Sequence, residues 1–178
     1  MASGGEIVRF WRDAGPKAWF VKDETFDGRC RAFEAEHHAA ARGELANWEL
    51  DAEGALALTL LLDQFPRNIW RRSPHAFATD LLAQGVADRA IQKRFDAATD
   101  SALRIFFYMP FEHAEDLALQ ELAVRLVEPM RDAAFTKYAV LHRDVIARFG
   151  RFPHRNLVLG RKSTPDELQF LAEGGFAG

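Results

Sequence analysis

The sequence has a single cysteine and no long hydrophobic run, and these two features argue against a disulfide-stabilised protein and against a membrane-spanning one. Cys30 is the only cysteine among the 178 residues, so a disulfide within the chain is excluded, which suits a reducing compartment. The longest apolar-looking stretch, Ala55–Leu62, is far shorter than the roughly 20 residues that a membrane-spanning helix needs. The first residues carry neither a basic start nor an apolar run, so we expect no signal peptide. These features predict a cytoplasmic protein without a membrane partner.

Cofactor and nucleic-acid signatures are also missing. The sequence holds no glycine-rich phosphate loop and no dinucleotide fingerprint, and we predict no cofactor. The formal net charge is −3 and the isoelectric point is about 6.1, which argues against a nucleic-acid partner. The segment from Arg148 to Lys162 departs from this average, because it is rich in arginine and contains no Asp or Glu. Such a local positive field favours a small anionic molecule as partner over a polyanion.

Helical signals dominate what the sequence does contain. Hydrophobic residues make up 48% of the chain, with 15 Phe among them, which allows a sizeable core in a single domain over residues 1–178. No stretch alternates between apolar and polar residues as a half-buried strand does. Apolar spacing and capping residues therefore predict an all-α fold without an internal linker.

Proline and glycine mark the predicted helix ends. A Leu-rich helix is predicted over residues 53–65, with Pro66 kinking or stopping the chain. Another is predicted over residues 74–84, with Gly85 just past its end. The remaining predicted helices in the second half cover residues 86–95, 100–108 (closed by Pro110), 115–127 and 131–149, and a last one opens at Thr164.

The first polar cluster follows the Leu-rich helix. It consists of Asp63, Gln64, Arg67, Asn68 and Arg71. A helix that ends in an acid, amides and arginines delivers these groups to the edge of the core, where hydrogen bonds strengthen. The alternative is structural: Asp63 and Arg67 pair at a spacing of four residues, and Asn68 caps a helix end.

The second polar cluster lies in the loop between the last two predicted helices. It consists of Arg151, His154, Arg155, Asn156 and Arg161. Arginine suits two-pronged contact with a carboxylate or phosphate, and this loop offers no local acid. The partners are therefore either a ligand or acids from other segments, with Asp63, Glu112 and Glu115 as candidates.

Histidines supply the candidate proton-transfer groups. His113 stands near two carboxylates in the sequence, whereas His142 lies on an apolar helix face, as a core histidine with one satisfied hydrogen bond would. We predict no metal site, because no two histidines have the four-residue spacing of a helical zinc motif. His37 and His38 lie in an Ala- and Glu-rich helix and are expected to include a solvated face.

Three motifs resemble a known family. They are Leu61–Asn68, Phe107–His113, and Arg148–Asn156 followed by Leu159–Thr164. In this order they are similar to the family catalogued as domain of unknown function 924, and the similarity covers essentially the whole chain. The resemblance implies a bacterial protein with a tetratricopeptide-like fold, in which about eight to nine helices form antiparallel pairs in a superhelical bundle. It implies no activity.

Our leading hypothesis is a pocket in which both polar clusters converge on a small anionic ligand. The predicted catalytic residues are His113, His154 and Asp63. The predicted ligand-binding residues are Arg67, Asn68, Arg71, Arg151, Arg155, Asn156 and Arg161. Two alternatives stay open, namely a tetratricopeptide-like module for a peptide or protein partner, and a scaffold in which the clusters only form salt bridges. The sequence also leaves open whether the protein is an enzyme.

Overall fold

The computed structural model describes residues 1–177, and helices joined by turns and short loops account for them. No strand occurs in that range, which confirms the all-α prediction. The α-helices are α1 (Gly4–Ala14), α2 (Pro16–Trp19), α3 (Glu24–Cys30), α4 (Glu34–Ala41), α5 (Ala52–Thr59), α6 (Phe65–Ile69), α7 (Asp80–Gln92), α8 (Phe95–Ala98), α9 (Ser101–Glu112), α10 (Leu117–Val127), α11 (Ala133–Phe149) and α12 (Pro165–Ala172). A search of residues 1–177 finds no helix long and apolar enough to cross a membrane. The superhelical pairing stays a prediction.

The residues group into two compact units. The first comprises Met1–Arg71 and His75–Pro110, and the second comprises residues 72–74 and 111–177. Each unit has buried side chains of its own and is described separately. The single-domain organisation stays a prediction.

Aromatic side chains fill the core of the first unit. Helix α1 opens with a capping box at Ser3 and buries Ile7 and Trp11 on one face. The indole N–H of Trp19 donates to the Trp11 carbonyl at 2.7 Å, and the two rings stack with their centroids 6.4 Å apart. The other rings that contact Trp11 are those of Phe26, Phe65 and Phe106. Since a large ring buries about 150–250 Å², this cluster is a main source of the unit's stability.

The Leu-rich helix does not stop at Pro66, which corrects the sequence prediction. Helix α5 continues through a π-helical segment, Leu60–Gln64, directly into α6, and Pro66 lies in the first turn of α6. The Phe65 N–H donates to the Leu60 carbonyl five residues back, and Pro66 has no N–H to donate. The wider π turn therefore accommodates the proline, and it leaves the Leu61 carbonyl without a donor from the helix ladder.

Side chains satisfy the carbonyls around this π-helical segment. His37 Nδ1 lies 2.7 Å from the Leu61 carbonyl, and the Thr79 hydroxyl donates to the Leu62 carbonyl at 2.6 Å. Arg67 Nη1 donates to the Asp63 carbonyl at 2.7 Å. Buried backbone groups need partners, so the irregular turn fixes the positions of these three side chains.

Two other predicted helix ends are also wrong. Gly85 lies inside α7, which runs from Asp80 to Gln92, and the segment before it is a 3-10 helix, Pro74–Phe77. Helix α9 contains Pro110 and continues to Glu112. Glycine only weakens a helix by about 1 kcal/mol, so packing overrides it. At Pro110 the helix gives up the hydrogen bond that a proline cannot donate, and burial of the neighbouring Met109 and Phe111 outweighs that loss.

The second unit is built on α10, α11 and α12. Asp116 and Asp132 cap the first two of these helices, as their backbone-directed hydrogen bonds show. Gly150 ends α11 in the left-handed conformation, with φ of 70°, which glycine adopts without a steric penalty. Thr164 opens α12 with a capping box. These ends agree with the predicted helices to within two residues. The core around the following loop contains Val145, Ile146, Phe149, Phe152, Phe170 and Phe176.

Candidate functional site

Arg67 in the first unit is held by two carboxylates. Its guanidinium donates to both oxygens of Asp80, at 2.8 and 2.9 Å, and its Nη1 lies 3.2 Å from Asp63 Oδ1. Burial by itself lowers the pKa of a guanidinium, but Asp63 and Asp80 outweigh burial and raise the pKa of Arg67. These contacts support the structural alternative, in which Asp63 and Arg67 form an ion pair.

Arg71 is held in the same way by Asp27. Its Nε and Nη2 both donate to that carboxylate, Nη2 at 2.9 Å, and Nη2 also donates to Asn68 Oδ1 at 2.8 Å. The Asn68 amide donates in turn to the Gln64 carbonyl at 3.1 Å. The ligand-binding residues predicted for this unit therefore contact one another and nearby acids.

Arg151 in the second unit forms a two-pronged ion pair with Glu167. Its Nε and Nη2 donate to the two carboxylate oxygens at 2.6 and 2.9 Å. The Asn156 amide and the Thr164 N–H donate to the same carboxylate, at 3.1 and 2.7 Å. The bonds from Arg151, followed by those from Thr164 and Asn156, lower the pKa of Glu167 to about 2. This carboxylate therefore stays ionised and ties the loop to the first turn of α12.

Arg161 joins the same loop to Glu115. Its Nη1 and Nη2 donate to that carboxylate at 2.5 and 2.9 Å, and its Nε donates to Asn156 Oδ1 at 2.9 Å. Glu115 also accepts a hydrogen bond from the Phe152 N–H at 2.8 Å. For Arg151 and Arg161, the partners that the loop lacks locally are thus acids from other segments.

His142 is a buried neutral histidine on α11. Burial lowers its pKa to about 3, and the charge of nearby His113 acts in the same direction. Nδ1 lies 2.8 Å from the Tyr138 carbonyl and 3.1 Å from Glu112 Oε1. A carbonyl only accepts, so Nδ1 carries the hydrogen, and the approach to Glu112 is a contact of a neutral ring and not an ion pair. These contacts support the interpretation of His142 as a core histidine.

His154 and Arg155 lie in the loop of the second unit, in an aromatic setting. The Arg155 guanidinium lies over the Phe152 ring, 4.4 Å from its centroid, and the His154 ring meets the Phe176 ring edge-on at 5.3 Å. Burial lowers the pKa of His154 to about 4, and the positive charge of Arg155 is the next cause. His154 Nδ1 is buried without a hydrogen-bond partner. The loop therefore combines a neutral imidazole with a buried cation.

A cleft of about 700 Å³ opens beside this loop within the second unit. Its polar wall is formed by His154, Arg161 and Ser163. Its apolar wall consists of Pro153, Leu157, Leu168, Leu171 and Ala177. The lining of the cleft thus combines polar and apolar residues, which differ in the chemistry that they can bind.

The structure distributes the predicted site residues over both units. Those in the first unit are Asp63, Arg67, Asn68 and Arg71, and those in the second are His113, His154, Arg151, Arg155, Asn156 and Arg161. Within each unit, the contacts above bring most of them together. Their convergence into one pocket, and the catalytic role of Asp63, stay predictions.

Sequence reasoning missed two kinds of group. Apolar cleft residues such as Leu157 and Leu168 carry no chemical signature in a sequence, and a helical pattern does not distinguish a cleft from the core. His37 was expected beside a solvated face, but it is buried, and only the neighbouring His38 is partly exposed. His37 bonds to a carbonyl of the π-helical segment. Pro66 is the sequence signal for that segment, since a proline inside an apolar helix requires an irregular turn.

Comparisons with known proteins agree with the motifs. A solved structure described as a protein of unknown function, ATU0120 from Agrobacterium tumefaciens, is similar to this chain, with 50% sequence identity and a TM-score of 0.93. The alignment covers 96% of this chain and 97% of that one. Among curated proteins, no match was found. Residues 7–175 match the family described as bacterial protein of unknown function (DUF924), and the chain therefore belongs to that family.

Proposed function

We propose that the second unit binds a small organic anion, with its carboxylate or phosphate head against His154, Arg161 and Ser163 and its apolar body against the leucines of the cleft. The observation that carries this proposal is the mixed polar and apolar lining of the cleft. A ligand that is only polar would leave Leu157 and Leu168 in water, whereas a ligand that is only apolar would leave the remaining Nη1 hydrogen of Arg161 without an acceptor. An amphipathic anion satisfies both walls.

The electrostatic potential beside His154 favours a ligand with a negatively charged head group. After burial, the charges of Arg155 and Arg161 are among the causes that lower the pKa of His154. A histidine whose pKa neighbouring cations lower reports a positive local potential. An anion beside His154 opposes that potential and raises the pKa of the imidazole.

The arginines of this loop have different roles in the proposed site. Glu167 engages Arg151 and Glu115 engages Arg161, so both ion pairs mainly hold the loop in shape. Arg161 Nη1 has two hydrogens and donates one of them to Glu115, which leaves one for a ligand. Arg155 acts through its charge, since the side chain is buried against Phe152.

Proton transfer is the catalytic part of the proposal, and His154 is its group. The ring is neutral at pH 7, and a bound anion brings its pKa closer to the range that a general base needs. His113 is the second candidate, because its ring lies 6.2 Å from that of His142 in the same unit. A bacterial, cytoplasmic protein without a nucleic-acid partner is the setting that we propose, in keeping with the net charge of −3.

The direct test is isothermal titration of the whole chain with hexanoate, butyrate and inorganic phosphate, at matched ionic strength in chloride. We expect hexanoate to bind more tightly than butyrate, because each buried methylene contributes about 0.8 kcal/mol. Binding should strengthen as the pH falls from 8 to 6, a range in which the carboxylate ligands stay ionised, since the anion favours the protonated imidazole. His154→Gln should remove this pH dependence.

Leu157→Ser is the variant for the apolar wall, because Leu157 is 91% exposed and its loss should not disturb folding. Leu81→Ser is its matched control, since Leu81 is 81% exposed and belongs to the first unit. Hexanoate affinity should drop in the first variant only. Equal affinities in both variants, or heats that chloride reproduces, would refute the proposed cleft ligand.

The second candidate function is a peptide-binding module, favoured by the exposure of Leu157 and Leu168 at 91% and 57%. Exposed leucines beside a cleft are typical of surfaces that bind proteins. A peptide that ends in leucine with a free carboxylate should then bind much better than hexanoate, and its C-terminal amide should bind weakly. Equal affinity for peptide and hexanoate would favour the small-molecule site.

A further inference from the structure

Three histidines of the first unit form a cluster outside the site described above. His37 and His38 lie on α4, and His75 lies in the 3-10 helix Pro74–Phe77. One ring nitrogen of each lies within 4.8 Å of those of the other two. The chain thus brings together three imidazoles from segments that are almost forty residues apart in the sequence.

His37 presents a lone pair to this cluster. Its Nδ1 lies 2.7 Å from the Leu61 carbonyl, and because a carbonyl only accepts, Nδ1 carries the hydrogen. Nε2 is therefore the unprotonated nitrogen. The residue is 1% exposed, and Nε2 is buried without a hydrogen-bond partner. Buried polar atoms are nearly always satisfied, so this nitrogen calls for a ligand.

The backbone fixes the orientation of that lone pair. The Leu61 carbonyl accepts from His37 because the π turn and Pro66 leave it outside the helix ladder. A histidine that binds a metal through one ring nitrogen usually donates the other N–H to a carbonyl or carboxylate, which sets its tautomer. His37 has this arrangement already. Burial also lowers the pKa of His37, which keeps the ring neutral at pH 7.

The surroundings are suited to a cation. Glu34 Oε1 lies 3.8 Å from His38 Nε2 and supplies negative charge at the edge of the cluster. The Trp70 ring packs against His75 at 4.4 Å, His37 at 4.8 Å and His38 at 5.5 Å between centroids. An apolar wall of this kind limits the access of water to a metal site.

We propose that His37, His38 and His75 bind a divalent transition-metal ion, with zinc as the representative, and leave a fourth coordination position for water or Glu34. Imidazole suits zinc, copper and nickel, whereas magnesium and calcium prefer oxygen ligands. Zinc–nitrogen bonds of about 2.0–2.1 Å require ligand nitrogens roughly 3.4 Å apart in a tetrahedral site. His37 is buried and fixed by the Leu61 carbonyl, whereas His38 is partly exposed and His75 is exposed. Zinc binding therefore requires the three ring nitrogens, which lie within 4.8 Å of one another, to move closer together.

The test uses the full chain without an affinity tag, stripped of metal with a chelator, and titrates zinc chloride by calorimetry. We expect a single strong zinc site and no response to magnesium or calcium. His75→Gln should weaken zinc binding by about tenfold or more, while Ala78→Gln places the same amide on a neighbouring exposed position and should bind zinc normally. Because His75 is exposed, the variant should fold like the parent.

A second readout locates the ion. Copper or nickel should quench the fluorescence of Trp70, and Trp70→Phe should remove that quenching while zinc still binds. His37→Gln should abolish the site, with its circular dichroism checked against the parent. A chain that gives no zinc response in excess metal, or zinc affinity that His75→Gln and His38→Gln both leave unchanged, would overturn the proposal. Weak binding that His113→Gln or His154→Gln in the second unit reduces as much as His75→Gln does would likewise mean scattered surface chelation instead of a site.

Discussion

Each unit contains a buried histidine with a lowered pKa, His37 in the first and His154 in the second, and the charges around these two residues differ. Around His37 the strongest electrostatic neighbours are two further histidines and Glu34. Around His154 they include Arg155 and Arg161, with Glu115 as the opposing charge. The first environment can accept a cation, because imidazole nitrogens and the Glu34 carboxylate face it. The second repels a cation and favours an anion.

The comparison shows that residue type alone does not assign a histidine its chemistry. His37 and His154 both have a lowered pKa, with burial as the first cause, and each has a buried ring nitrogen without a hydrogen-bond partner. They differ in the charges beside them and in what fixes the ring. His37 is fixed by a backbone carbonyl of the π-helical segment, whereas His154 packs against the rings of Phe152 and Phe176.

The largest expected effect concerns the π-helical segment whose Leu61 carbonyl fixes His37. Leu60 lies in the π-helical segment and is 0% exposed. Leu60→Ala should lower the free energy of unfolding by about 2–5 kcal/mol, because the side chain leaves a cavity in a close-packed region. Urea denaturation of parent and variant measures the difference. Leu157→Ala, at a position 91% exposed, is the control and should be nearly neutral. A loss below about 1 kcal/mol for Leu60→Ala would mean that this turn is not close-packed.

A second prediction concerns the pH dependence of stability that the buried His142 of the second unit causes. His142 has a folded-state pKa of about 3 against an ordinary value of 6.5, so the unfolded chain takes up the proton first as the pH falls. Stability is therefore lost below about pH 6.5, by about 1.4 kcal/mol per pH unit from this residue, and its contribution levels off near pH 3. Unfolding experiments between pH 8 and 5 measure the slope. His142→Gln should flatten it and leave the curve above pH 7 parallel to that of the parent. Parallel curves over the whole range would contradict the buried neutral ring.

The smallest expected effect concerns the ion pair between Glu115 and Arg161, which holds the arginine-rich loop of the second unit in shape. A double-mutant cycle with Glu115→Gln and Arg161→Gln should give a coupling energy of about 1–2 kcal/mol, since the contact is two-pronged and half-buried. The exposed pair Arg42 and Glu44 is the matched control and should show no measurable coupling. Coupling that disappears in moderate salt would indicate a surface pair and weaken the argument for a rigid loop.

Much of the fold was predictable because local chemistry decides it. Helix α11 ends at Phe149 and Thr164 opens α12 as predicted, since a glycine in the left-handed conformation after Phe149 and a capping hydroxyl act within a few residues. The helix ends predicted at Pro66, Gly85 and Pro110 are wrong. At each of them, burial of the neighbouring apolar residues outweighs a local penalty of a few kcal/mol or less.

The candidate sites were predictable in part. The motifs singled out the arginine-rich loop, and two of its predicted site residues, His154 and Arg161, line the cleft in the second unit, whereas Arg151, Arg155 and Asn156 are not among its lining residues. They did not reveal that Glu167 and Glu115 already engage Arg151 and Arg161, because an ion pair between distant segments depends on which helix faces which. The cluster of His37, His38 and His75 was not predicted either, since those histidines lack the four-residue spacing of a helical motif.

By itself, the sequence determined the all-α fold, the family and some of the helix ends, because periodicity, capping and motif order are properties of neighbouring residues. Only the tertiary structure decided which polar groups have partners and which have none. The tautomer of His37, the partner of Arg161 and the two walls of the cleft all depend on contacts between segments far apart in the chain. Charges and hydrogen bonds act over a few ångströms in space, and distance along the chain does not specify distance in space.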